Sequence, residues 1–297
     1  MKAFAIVLTI LALGAAIYTA IYMPLTWFMV FAFSSLLYGF ISPVIAARRL
    51  FFLATEAPHM ALFSVVLGIV VYKTTNLLNE FLWALIISII LINVVGHLIR
   101  AGVDPDVATS VMVSLTASGS VVATYYVLTF YSVQYNLWAF ILGDPLLVTS
   151  QEALQLTIIA VASALATVYL YMFGIYMGVD LDHAKLSARN IWLYDTAIYT
   201  LLGISSVALL KIVGFVLEHV LLTLPAIIAS AVSSSSREAL HTSVVSAVAS
   251  SFLGLLLSTK LNIAPAGGIG FITLSIYLIA RVLSAKKTCL RKGLGYL

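Results

Sequence analysis

Apolar residues in this chain come in long unbroken runs, without the strict alternation or one-sided periodicity of a water-soluble fold. A helical crossing of a bilayer core needs about 20 predominantly apolar residues. Ten segments approach that length: 3–22, 27–46, 57–72, 80–98, 107–130, 153–177, 192–211, 213–232, 242–259 and 268–284. The pattern predicts an all-α, polytopic helical bundle embedded in a membrane. Between the fifth and sixth segments the chain stays mostly apolar but is broken at Leu142-Gly143-Asp144-Pro145. Eight crossings instead of ten would result if one or two segments re-enter the membrane or lie in its interface.

Charge sets the direction of threading, because Lys and Arg resist translocation and short loops rich in them stay in the cytoplasm. With Lys2 inside, Arg48, Arg49, Arg100, Lys185, Arg189, Arg237, Lys286, Lys287, Arg291 and Lys292 fall inside as well. Only Lys73, Lys211 and Lys260 remain near outer turns. Both termini are therefore expected in the cytoplasm. The same rule divides the apolar stretch 191–232: basic on both flanks, it must cross twice, turning near 211–214. The opening run, with small residues at Ala15 and Ala20, has the look of a signal peptide, but with nine spans following an uncleaved first helix serves as well. No segment has the composition of a linker or the length of a soluble domain, so residues 1–297 read as one integral domain.

Composition agrees with this and narrows the function. Only 9% of residues are charged and 63% are hydrophobic, with a mean hydropathy of +1.14, whereas soluble domains carry about 25% charged residues. The net charge of +4 is explained by the basic inner loops and gives no reason to expect nucleic acid. Cys289 stands alone, which excludes an internal disulfide framework. No Gly is followed by Lys anywhere, so the G-x-x-x-x-G-K-(S/T) phosphate loop is missing and the chain cannot hydrolyse ATP by that route. The five histidines lack H-E-x-x-H spacing, and no G-x-S-x-G elbow is present. Catalysis is not expected, nor is a resident cofactor.

Ionisable groups inside the apolar segments carry more information, since a charge at mid-bilayer costs about 2.5–3.5 kcal/mol on insertion scales. Glu56 and His59 are three residues apart beside Pro58, hence on one helix face. Glu218 and His219 lie four or five residues past the expected outer turn, about 6–8 Å below the surface. Carboxylate with imidazole is a donor set for ions such as zinc or manganese; the same residues would also serve as interhelical hydrogen-bonders. Asn93, His97 and Asp195, near inner helix ends, read as structural. Asp104-Pro105 reads as an N-cap followed by proline at the first helical position. Asp180, Asp182 and His183 read as a solvated turn. Gly174 and Gly178 form a G-x-x-x-G pair that allows close packing. Ser235-x-x-Glu238 is a capping-box pattern, predicting a short helix between the eighth and ninth spans on the cytoplasmic face, where a membrane subunit could receive force from a soluble motor.

Three stretches resemble the membrane permease subunits of ABC importers for zinc, manganese and chelated iron. Arg48-Arg49-Leu50, Leu53, His59, Leu62 and Gly68 follow, without a gap, that family's pattern R-R-(M/L)-x-L-L-G-D-A-x-S-H-x-x-L-P-G-x-x-L-G. Val213-Gly214, Leu217, Leu221-Leu222, Pro225-Ala226 and Ala229 follow V-G-x-x-L-x-x-x-L-L-x-x-P-A-x-x-A. Gly254, Ser258, Leu261-Asn262 and Pro265-Ala266-Gly267 match the G-x-x-x-S and L-D-x-P-x-G region loosely. The landmarks run in family order from about residue 48 to 284. The chain departs from the pattern at Ala54 and Thr55, where the family has Gly-Asp, and at Phe63-Ser64, where it has Pro-Gly.

The resemblance implies a permease that works as a dimer, with its path at the subunit interface. An extracytoplasmic solute-binding protein would deliver the divalent metal ion, and two cytoplasmic ATP-binding subunits would drive alternating access. His59 would then be a ligand on the path. Residues 233–240, with Ser235, Arg237 and Glu238, would couple to the ATPase, and Asp144 and Glu152 would contact the binding protein. Glu56, Glu218 and His219 join the candidate ligands on burial cost alone. Two other readings stay open: a permease for iron chelates or corrinoids, and an ATP-independent channel or secondary transporter.

Overall fold

The computed structural model describes residues 2–131, 148–187 and 190–294. Within them the chain forms α1 (Lys2–Tyr22), α2 (Leu25–Ala47), α3 (Phe51–Thr75), α4 (Glu80–Arg100), α5 (Pro105–Phe130), α6 (Ser150–Val179), α7 (Leu181–Ser187), α8 (Ile191–Val232), α9 (Ser236–Leu261) and α10 (Pro265–Leu294), with no strand among the described residues. Ten helical segments are long and apolar enough to cross a membrane, α8 supplying two of them, Ile191–Leu210 and Gly214–Val232. The expected division of residues 191–232 therefore appears. Gly214 makes it, at φ 77° and ψ 156°, a backbone conformation that a side chain would strain.

Helix ends follow local chemistry. Asp104 caps α5 by accepting from the N–H groups of Asp106 and Val107, with Pro105 at the first helical position, as the sequence predicts. Thr149 and Glu152 form a reciprocal capping box on α6. Asn76 and Asn262 close α3 and α9 in the left-handed conformation that asparagine tolerates at this position. Two expectations change. Ser235 does cap a helix, but that helix is the 26-residue α9 itself and not a separate short element. Conversely, 181–187, expected as a turn, forms the short helix α7, with Asp180 accepting from the His183 N–H at 2.9 Å.

The bundle is organised around α8, which packs against α2, α3, α4, α6, α9 and α10. α1, α4 and α5 are the least buried of the spans. Polarity is inverted relative to a soluble protein: Ile6, Ile10, Ile17, Leu115, Val122, Ile158, Leu165, Leu278 and Val282 point outward, while Ser34, Ser42, Ser88, Ser243, Ser246 and Thr273 are buried. Lipid tails are as apolar as leucine, so helices associate through close packing and hydrogen bonds. Ser88 donates to the Gly203 carbonyl at 3.1 Å, and Asn93 donates to Thr200 at 3.0 Å. Ser243 donates to the Gly39 carbonyl at 2.9 Å. Beside Pro225, which lacks an N–H, the Ala226 N–H donates to Ser42 Oγ at 2.9 Å. The expected glycine contact is made too: a Cβ on Gly178 would run into the Ala47 carbonyl, and one on Gly174 into Val44.

At the basic end, Asp195 is 1% exposed and binds two cations. Arg48, at the end of α2, pairs with its Oδ1, and Arg100, at the end of α4, pairs with its Oδ2 at 2.9 Å. Tyr199 and Trp192 lie under the two guanidiniums. The structural reading of Asp195 holds: the clamp ties the inner ends of three helices.

Candidate functional site

α3 and the second arm of α8 bring His59 and His219 together from 160 positions apart. Pro58 interrupts the α3 hydrogen-bond ladder one residue before His59, and Gly214 starts the second arm of α8 five residues before His219. Both imidazoles are half-buried. Their ring centroids are 5.7 Å apart with the planes at 90°. Phe215 completes the group, 4.7 Å from His59 and 4.6 Å from His219. His219 Nδ1 lies 2.8 Å from the Phe215 carbonyl oxygen. That oxygen can only accept, so Nδ1 carries the proton and Nε2 keeps its lone pair.

The two glutamates have other surroundings. Glu56 is fully buried between α3 and α5; its Oε1 accepts from Thr116 Oγ1 at 2.6 Å and its Oε2 has no partner. Glu218, a neighbour of His219 in sequence, points about 100° away around the helix. It lies near Tyr38 of α2 and Ser206 of the first arm of α8. Both Glu218 oxygens, the Tyr38 hydroxyl and Ser206 Oγ are buried without a well-aligned hydrogen bond, Ser206 being a weak contact of the carboxylate. Thr55 Oγ1 donates to its own helix at the Phe52 carbonyl, 2.7 Å away. Among the described residues no cluster of three or more His, Cys, Asp or Glu side chains could hold a metal ion; the histidines are a pair.

The remaining candidates lie at the two ends. At the end away from the basic clamp, a cavity of about 240 Å³ opens between α3, α4, α6 and α8, with Glu80, Glu152 and Gln155 among apolar walls. Glu152 also accepts from the Thr149 N–H at 3.1 Å and hydroxyl at 2.8 Å. Asp144 lies outside the described residues. Sequence reasoning passed over Glu80, which follows the capping Asn79. At the basic end Ser235 Oγ accepts from the Glu238 N–H at 3.3 Å, and the Glu238 carboxylate accepts from the Ser234 N–H and hydroxyl at 2.9 and 2.7 Å. Arg237 points into the open. α7 carries Leu186, 88% exposed, an apolar residue among charged ones.

The sequence profile described as the ABC 3 transport family matches residues 21–284. The chain belongs to that family. It is a multi-pass cell-membrane protein of a transport family, as its motifs implied. Two solved structures share the fold. One is PsaBC from Streptococcus pneumoniae in complex with Fab, at a TM-score of 0.72 and 18% identity, covering 90% of this chain and 95% of that one. The other is described as an inward-facing conformation of a metal-chelate type ABC transporter, at a TM-score of 0.66 and 11% identity, covering 94% and 99%. No curated protein matches the sequence. In this ABC 3 permease fold, the rings of His59 of the arginine-led motif and His219 of the V-G-x-x-L motif meet edge to face.

Proposed function

We propose that this protein is the transmembrane permease subunit of an ABC importer for a divalent transition-metal ion, zinc or manganese, and that His59 and His219 form a transient ligand pair on its path. The observation that carries this reading is the separation of the two rings. An ion about 2.0–2.1 Å from one nitrogen of each imidazole lies about 3.2 Å from each ring centre; a tetrahedral angle then separates the centres by about 5.2 Å, and an angle of about 125° by the 5.7 Å found here. The Nδ1–H bond from His219 to a backbone carbonyl holds the ring in place and leaves Nε2 free for an ion. Two ligands in a half-buried setting bind weakly enough to release, as a transport site must. A metal already wrapped in a chelate has few positions left for imidazole, so the pair favours the bare ion.

Partners follow from surfaces that lipid would not suit. On α5, Ser110, Ser114, Ser118, Tyr125 and Thr129 form an exposed polar stripe. The outward face of α1, from Ile6 to Ile21, carries only aliphatic residues and Tyr18 among its large side chains. That stripe fits a water-lined passage closed by a second permease copy. Exposed Leu186 on α7 and Arg237 at the start of α9 fit separate ATP-binding subunits. The Glu80 and Glu152 end fits an extracytoplasmic binding protein that delivers a cation.

Reconstitution of the permease with its ATPase and binding protein in liposomes tests the reading. Metal uptake should require ATP, and His59→Ala should abolish it while leaving assembly with the ATPase intact. Uptake at the wild-type rate by His59→Ala would remove His59 from the path.

A further inference from the structure

Fewer donor atoms face the space between His59 and His219 than the number of buried acids suggests. Glu56 is engaged by Thr116 across the α3–α5 contact. Glu218 faces Tyr38 and Ser206, on another side of α8 from His219. Asp195 is held between two arginines at the inner end. Glu80 and Glu152 line the outer cavity, and Glu152 serves as an N-terminal cap. Asp104, Asp106, Asp180, Asp182 and Glu238 cap or flank helices at the basic side. Among the described residues, then, no carboxylate joins the pair of histidines. The Thr55 hydroxyl proton is used within its own helix turn. What this chain presents is two imidazole nitrogens, one of them with its tautomer fixed by the Phe215 carbonyl.

We infer that His219 is a specificity-determining residue and that the pair selects zinc-type ions over manganese. The inference rests on the importer reading in taking His59 and His219 as ligands. Imidazole suits zinc, copper, nickel and iron, whereas manganese resembles magnesium and calcium in preferring carboxylate, carbonyl and water oxygen. Manganese also stands at the bottom of the affinity order for first-row divalent ions, so a site with no anionic oxygen leaves it without compensation. Zinc accepts four-coordination readily, and two imidazoles plus water, or plus groups from a second copy, make a shell of that kind.

The test uses the full-length permease in nanodiscs with its ATPase and without the binding protein, so that only the membrane site is sampled. Zinc affinity is read by competition with a chromophoric chelator, and manganese binding by loss of the free-ion electron paramagnetic resonance signal. Zinc should bind at least about tenfold more tightly than manganese, and His219→Ala should narrow that advantage. His219→Asp, which replaces a nitrogen donor by an oxygen, should raise manganese affinity while lowering zinc affinity. Wild-type protein loaded with cobalt gives a readout needing no variant: intense visible bands of a four-coordinate, nitrogen-ligated ion. Manganese binding as tight as zinc, and dependent on both histidines, would overturn the selectivity and leave the ligand pair standing. Binding of both metals unaffected by either His→Ala change would overturn the ligand pair itself.

Discussion

Asp195 and Glu218 are both buried acids on α8, one on each arm, and the molecule treats them oppositely. Asp195 accepts from two guanidiniums, each resting on an aromatic ring. Glu218 is 0% exposed, with a weak contact to Ser206 and no cation beside it among the described residues. A buried charge with its partners in place is part of the scaffold, and taking one partner away exposes the full desolvation cost of the others. A buried acid with no ionic partner adds little to hold the fold together, so its presence within the membrane points to the working of the protein. Burial alone did not separate these cases; the partners did.

The contrast can be broken by substitution. Asp195→Ala leaves Arg48 and Arg100 facing each other and should cost about 3–5 kcal/mol, read as a large drop in thermal stability of the purified protein and poor membrane yield. Glu218→Gln, which keeps the shape, should change stability by less than about 1 kcal/mol while altering transport; a destabilisation equal to that of Asp195→Ala would erase the distinction. Glu56→Gln keeps an acceptor for Thr116 and should be close to neutral for folding, within about 0.5 kcal/mol. At the basic surface, Arg237→Glu and Leu186→Asp should leave stability unchanged within about 0.5 kcal/mol yet lower transport per ATP hydrolysed. Unchanged coupling in both variants would mean that neither α7 nor the start of α9 meets the ATPase.

Much of the architecture could be read without coordinates. The two crossings within 191–232 followed from basic residues on both flanks, and Gly214 was the residue that the turn needed. Asp104-Pro105 and Ser235 were identified as caps from their own local chemistry. Two spans came out longer than their expected segments: α3 begins at Phe51 and α9 at Ser236, α9 because the Ser235 cap starts the helix ahead of the hydrophobic stretch. The capping box of α6 has the same kind of signature, Thr149-x-x-Glu152, yet Glu152 enters the sequence reading only as a contact for the binding protein. α7 went unnoticed because seven residues have too few turns to show a period.

The site was legible only in fragments. Two Glu–His pairs stood out because each combined an acid and an imidazole locally, yet neither pair acts as a unit. The structure exchanges partners, setting His59 against His219 and sending Glu56 and Glu218 to different neighbours. Which side chains meet across 160 residues depends on the crossing of α3 over the second arm of α8, and no local pattern encodes that.

The sequence alone determined where the apolar segments lie and which ends are basic, because hydropathy and charge act residue by residue and accumulate along a segment. It determined the helix caps for the same reason, since a cap is satisfied within four residues. Tertiary structure decided which buried acids are paired, which face of α8 each polar residue occupies, and that two distant imidazoles share one space. Those outcomes depend on packing among helices far apart in the chain, where a rotation of 100° between neighbouring residues separates a ligand from a bystander.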